Sequence, residues 1–305
     1  MLRIITPVWL ILFVVLTLCS PVFAIELVDS SWVAENIHKA KTIIVDVQSQ
    51  SDYYAIAHLP GAVKVNRHAD LSDYTQEPPT LYPSPEQFKQ VLDRLGIEND
   101  STVIAYDDKF GLFASRFLVI MEMYGHDTQQ LMLLDGGIDN WEQEGREEST
   151  ASVQLPASDY TIVDNRAGIR LAWSDIYRDK LAKNLDAIIL LDVRPENEYL
   201  GQKIRGIRGG HIPGAINITG TKANDSETQK FLSLKEIATL YADNGITAES
   251  PVYLYCHSGD RAAHAYMQLR YLLGYKNVRI YDGGWNAWSS KLFLPAQDTH
   301  WLWEQ

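Results

Sequence analysis

The chain has 305 residues, enough for two domains of ordinary size, and its 46% hydrophobic and 22% charged content with 19 Gly and 12 Pro excludes a collagen-like, disordered or polytopic membrane protein. Lys plus Arg number 27 against 39 Asp plus Glu, and the resulting net charge of −12 disfavours unassisted binding to nucleic acid or anionic lipid. A site for an anionic substrate must therefore concentrate its own positive potential.

Residues 1–24 differ from the rest. Arg3 precedes the apolar run Val8 to Leu18, and Ser20-Pro21 leads to Val22-Phe23-Ala24, the charged start, apolar middle and small-residue end of a secretory signal. The spacing predicts cleavage after Ala24 and a location outside the cytoplasm, the periplasm of a Gram-negative cell or the medium. The apolar run is shorter than the roughly 18 residues of a membrane span, so retention as an anchor is the lesser alternative. Cys19 leaves with the signal, since Leu18 stands where a lipoprotein signal needs a small residue. Cys256 then remains as the sole cysteine and no intramolecular disulfide forms. An exported, unpaired thiol is either a small buried hydrophobe or a working nucleophile.

Strands are predicted at 43–47, 103–106 and 131–134, with a helix over 86–95 opened by Ser84 as N-cap and Pro85 at the first helical position. Gly96 follows as its stop. After the aperiodic stretch 145–165 come strands at 188–193, 252–255 and 278–281, and a helix over 234–242 opened by Ser233 and stopped by Gly245. The second half repeats the first. IIVDVQSQSDYYAIAHLPGAVKVN (43–66) returns as IILLDVRPENEYLGQKIRGIRGGHIPGAINI (188–218), and residues 103–141 match 252–288. Strands alternating with helices, short and apolar throughout, predict parallel sheets covered on both faces. His58 and His211, each before Pro-Gly, read as turns, Asp135-Gly136-Gly137 and Asp282-Gly283-Gly284 as tight strand exits, and Trp141, Trp285 and Trp288 as core.

The duplicated DV, H-[LI]-PGA and DGG-x-x-x-W elements, with CHSGDR following the strand 252–255, make the chain resemble the tandem-domain rhodanese sulfurtransferases from about residue 27 to 295. The resemblance implies an α/β fold of two tandem rhodanese-like domains, each a parallel β-sheet flanked by helices: a signal peptide at 1–24, an N-terminal domain at 25–150, a linker at 151–165 and a catalytic C-terminal domain at 166–305. It implies an enzyme that moves sulfane sulfur from a donor such as thiosulfate to cyanide or a thiol through a Cys256 persulfide, with no cofactor and no metal. Its partners are a small-molecule donor and acceptor, with no nucleic acid and no stable membrane association after signal cleavage.

The residues support that reading. CHSGDR lies at the carboxyl end of a parallel strand, where open α/β folds bind ligands, and the N–H groups of such a loop favour the thiolate. Arg261 is expected to supply fixed charge and hold the anionic donor, and His257 to be partly protonated. Ser258 either donates to the sulfur or stabilises the turn, Gly259 supplies a positive φ, and Asp260 points outward or caps the helix. Asp192 and Arg194 either orient the loop or form a structural ion pair. Cysteine phosphatases and arsenate reductases need an arginine six residues after the cysteine, whereas Arg261 is the fifth and Ala262 the sixth, a cradle better sized for one sulfur atom. In the first half Asp107 stands where Cys256 stands in the second, so that domain is expected to be catalytically silent. Two departures bear on the donor: animal thiosulfate sulfurtransferases carry an arginine near Glu198, and mercaptopyruvate-using relatives have a Cys-Gly-Ser-Gly type loop. A 3-mercaptopyruvate sulfurtransferase and a persulfide-binding or redox-sensing module remain the alternatives.

Overall fold

Apolar runs flanked by turns become the central strands of two sheets in the computed structural model, which describes residues 25–301 except 184 and 186. The first sheet contains β1 (Glu26–Val28), β2 (Thr42–Asp46), β3 (Val63–Lys64), β4 (Thr102–Tyr106) and β5 (Leu131–Leu134), in the order β1-β5-β4-β2-β3. The second contains β6 (Ile189–Asp192), β7 (Ala215–Asn217), β8 (Val252–Tyr255) and β9 (Val278–Tyr281), in the order β7-β6-β8-β9. Every pairing is parallel. The counterpart of β1 shrinks in the second sheet to one bridge between Arg170 and Ile280.

Helix Pro85–Arg94 starts at Ser84 and helix Leu234–Ala242 at Ser233, each with a capping box in which the serine side chain and the third helical residue satisfy each other's N–H groups. The central strands are buried on both faces, so each sheet has two apolar sides to cover. Trp141 fills the outer side of the first sheet, and Trp285 and Trp288 that of the second. The inner sides join in one core that passes from domain to domain through helix Leu112–Met123 and helix Asp260–Tyr266. These two helices each follow the fourth-strand loop of their repeat, so their packing brings the two loops together. The aperiodic segment between the domains is no free tether: Ser158 N–H donates to Asp93 O (3.0 Å) and Val163 N–H to Tyr124 O (3.1 Å), laying it along the first domain.

Candidate active site

Cys256 directly follows β8 and is 1% exposed, as β8 ends beneath a loop that folds over it. Gly259 has φ +97°, a left-handed conformation that turns its N–H back onto the sulfur, 3.1 Å from Sγ. The carbonyls of the loop are all pulled outward. Cys256 O accepts from Trp285 N (2.7 Å), His257 O from Asn286 N (3.1 Å), Ser258 O from Arg116 Nη1 (2.7 Å), and Gly259 O from Tyr82 Oη (3.1 Å) and Ala263 N (2.9 Å). In a trans peptide the N–H points opposite to the carbonyl, so holding Ser258 O away from the sulfur turns the Gly259 N–H toward it. The second glycine of Asp282-Gly283-Gly284 makes this possible: a Cβ on Gly284, at φ +54°, would lie 2.5 Å from Cys256 O and 2.6 Å from His257 O.

The charges around the loop depart from the sequence expectation. Both arms of the Arg261 guanidinium donate to Glu198, at 3.2 Å each, and Arg205 reaches the same carboxylate at 3.5 Å. Burial would raise the Glu198 carboxyl, but the Arg261 charge and hydrogen bonds, with Arg205 and Arg194 behind them, hold it below the usual carboxylate range. Arg261 thus keeps its charge near the sulfur with its planar fork already filled. Arg205, whose side chain is 46% exposed, is the more open cation. His257 is neutral, not partly protonated: burial, reinforced by the Arg205 charge, pushes its imidazole down to about 4. Its Nδ1 has no hydrogen-bond partner among the described residues.

Asp260 neither points outward nor caps the helix. The N-cap position is Gly259, and the Asp260 carboxylate sits 2.9 Å from Arg116 Nη1 of the first domain. Ser258 Oγ approaches that carboxylate at 3.5 Å, so it serves the turn. Asp192 and Arg194 form a buried pair (2.6 Å); Arg194 also donates to Gly210 O and lies 5.0 Å from the ring of Trp285, whose backbone N–H holds Cys256 O. An apolar cavity of about 600 Å³ lies elsewhere, between the 77–81 segment and the Arg170–Asp282 pair, and Cys256 does not line it. Cys256 and the Gly259 N–H that faces its sulfur lie outside that cavity.

The rhodanese-like domain family matches this chain twice, over residues 29–144 and 177–291. The chain belongs to the rhodanese family. It is 33% identical over 281 residues to a Corynebacterium glutamicum protein named thiosulfate sulfurtransferase, covering 89% of this chain and 90% of the relative. It is 32% identical over 277 residues to a Thermus thermophilus protein named a sulfur carrier protein, covering 88% and 95%. Among solved structures it resembles the 3-mercaptopyruvate sulfurtransferase of Escherichia coli, with a TM-score of 0.76 at 26% identity, covering 86% of this chain and 99% of that one.

In the first rhodanese domain the corresponding cradle is already filled. Asp107 follows Tyr106 as Cys256 follows Tyr255. Its Oδ1 accepts from Lys109 N (2.7 Å) and Gly111 N (2.9 Å), and its Oδ2 from Phe113 N (2.7 Å) and Ala114 N (3.0 Å). Burial pushes this carboxyl up to about 6 against the pull of those donors, so it is ionised at neutral pH. A side-chain anion thus occupies the place a bound anion would take. The strand-exit aspartates do more than turn the chain: Asp282 accepts from Tyr82 N (2.9 Å) and Arg170 Nε (3.0 Å), and Asp135 from Phe231 N (2.9 Å). His58 and His211 are buried and stacked on Tyr54 and Tyr199. No motif in the sequence marks Tyr82, Arg116 or Arg205 as part of the site, and Glu198 stands out there only as a departure from the animal enzymes. The repeat holds a clue to two of them, since Tyr82 and Arg116 occupy the places of Phe231 and His264.

Proposed function

We propose that this rhodanese takes sulfane sulfur from thiosulfate onto Cys256 and passes it to a thiophilic acceptor. The observation that carries the reading is the Gly259 N–H at 3.1 Å from Sγ, in a loop whose carbonyls are all taken by other donors. The thiolate attacks the outer sulfur of thiosulfate, the S–S bond breaks, and sulfite leaves with the bonding pair. Cyanide or a thiol then attacks the outer persulfide sulfur and Cys256 departs as thiolate. Ping-pong kinetics follow. Every loop N–H that stabilises the thiolate also stabilises the persulfide anion, so the loop serves both half-reactions. Arg205 and the compensated Arg261 supply the local positive field that an acidic protein needs to admit an anionic donor. Arg261 committed to Glu198 is a poor clamp for phosphoryl oxygens, which argues against phosphatase or arsenate chemistry.

The test incubates the protein separately with thiosulfate, 3-mercaptopyruvate and a phosphate ester, then measures intact mass and product. A gain of one sulfur with thiosulfate, release of sulfite, and thiocyanate on adding cyanide are expected, and Cys256→Ser should lose all three. Full sulfurtransferase activity in that variant would overturn the reading. A persulfide that forms but does not turn over would move the assignment to a sulfur carrier, the name borne by the Thermus relative.

We further infer export. Residues 1–24 lie outside the described residues, and the inference rests on their charged, apolar and small-residue pattern. Ile25 is buried and β1 begins at Glu26, so cleavage after Ala24 would leave ordered chain at once. Intact mass of the native protein should show a start at Ile25. A soluble cytoplasmic species retaining residues 1–24 would contradict it.

A further inference from the structure

The two rhodanese domains meet through reciprocal contacts. Five positions beyond the left-handed glycine of each fourth-strand loop, the following helix sends a side chain toward the other domain's loop. His264 lies against the Phe110 backbone and stacks on Phe231 at 5.0 Å. Arg116 holds Ser258 O and the Asp260 carboxylate and packs on Tyr82 at 4.7 Å. The contact around Asp107 is neutral, with a buried imidazole pushed down to about 3 by burial. Beside Cys256 it is charged.

That difference has a chemical reason. Asp260 opens the helix after the cysteine and brings a carboxylate to a loop that must stabilise a thiolate and then a persulfide anion, a like-charge neighbour that disfavours both. Its counterpart in the silent domain, the first residue of helix Leu112–Met123, is apolar. Arg116 is 3% exposed and also donates to Leu71 O, Ser72 Oγ and Thr80 O, so its guanidinium is fixed in place by the first domain before it meets the second.

We propose that Arg116 is a positioning residue for the Cys256 reaction, supplied by the catalytically silent domain: it cancels the Asp260 charge and pins Ser258 O outward, so that the loop N–H groups face the sulfur. The first domain is then a working part of the site, and any separation of the domains uncovers Asp260 and slackens the loop together. The inference rests on Cys256 being the nucleophile, but it does not rest on which donor is used.

The experiment follows the pH dependence of Cys256 alkylation by iodoacetamide in the full chain, alongside steady-state sulfur transfer from thiosulfate to cyanide. Arg116→Met should move the alkylation profile to higher pH by about one unit, as expected for an uncovered like charge, and lower kcat/KM at neutral pH roughly tenfold. Asp260→Asn alone should move the profile the other way, because Arg116 is left uncompensated beside the loop. The double variant Arg116→Met/Asp260→Asn should return near the wild-type profile, which a purely structural role for Arg116 would not produce. A folded Arg116→Met protein with an unmoved profile, or a double variant no better than Arg116→Met, would overturn the proposal. If Arg116→Met does not fold, Asp260→Asn decides by itself, and an unmoved profile there is equally fatal. Profiles that move as described in a protein without turnover on any donor would leave Arg116 in its role and remove the enzymatic reading instead.

Discussion

Arg261 closes the cysteine loop with both arms of its guanidinium on Glu198, a buried carboxylate whose second cation is the half-exposed Arg205. Removing Arg261 therefore does more than withdraw charge from the sulfur, because it leaves Glu198 buried with only a partial partner. Breaking one side of a buried ion pair usually costs about 3–5 kcal/mol, and with Arg205 remaining, about 2 kcal/mol is expected for Arg261→Ala. Urea unfolding should read that loss, and thiosulfate turnover should fall as well. Arg261→Lys should keep part of the charge effect while losing the two-armed contact, so its stability should lie between the other two. An Arg261→Ala protein as stable as wild type would show that Glu198 finds other compensation. The neutral His257 adds a kinetic expectation. With its imidazole held near 4, the rate of persulfide formation should show no step at the ordinary histidine value near pH 6.5, and such a step that vanishes in His257→Gln would restore the charged role.

Two glycines at equivalent places in the repeat separate what an element does for the fold from what it does for the site. Gly284 lets helix Gly284–Ser290 start against the carbonyls of Cys256 and His257, and Gly137 lets helix Gly137–Gln143 start with its would-be Cβ 2.0 Å from Asp107 O. Alanine at either site meets backbone that cannot yield and adopts a disfavoured positive φ, at a cost of roughly 2–4 kcal/mol. Gly284→Ala should also lose sulfur loading per folded molecule, whereas Gly137→Ala should load normally once folded. Urea midpoints and persulfide stoichiometry read the two effects separately, and equal losses of loading would deny the division of labour. The same elements show what sequence carries. Strands β5, β8 and β9 and helix Leu234–Ala242 fall where their apolar runs and serine cap place them, because those signals are local. Strands β1, β3 and β7 span only two or three residues and owe their existence to a paired neighbour, which no local pattern announces. The cysteine loop is contiguous and could be read. Tyr82 and Arg116 reach it from 177 and 142 residues away, and only the folded interface makes them part of it.

At the scale of the molecule, one apolar core runs through both domains, so they should unfold in a single transition. Its response to pH follows from groups on both sides of the interface. His257 and His264 are held neutral by burial, at about 4 and about 3. Between those values and 6.5 a proton binds the unfolded chain and not the fold, so the stability they contribute is whole above pH 6.5 and drains away as pH falls through 4 and then 3. Asp107 works in the opposite sense: raised to about 6, it favours the fold below pH 3.8 and loses that contribution as pH rises through 6. Against Asp107 the two histidines prevail, because each is displaced further from its ordinary value; His126, lowered by burial, adds to them, while Asp46, Glu122 and Asp135, raised by burial, side with Asp107. His257 is worth roughly 3 and His264 roughly 5 kcal/mol over its full window, against a typical total of about 5–15 kcal/mol. The urea midpoint should therefore fall between pH 7 and pH 4.5 as one cooperative transition. His264→Gln should flatten the decline without touching the cysteine loop, since the amide oxygen can still accept from Gln268 Nε2 as the ring Nδ1 does. A midpoint that holds steady down to pH 4.5, or a His264→Gln curve parallel to wild type, would mean that these buried imidazoles do not set the acid limit of the fold.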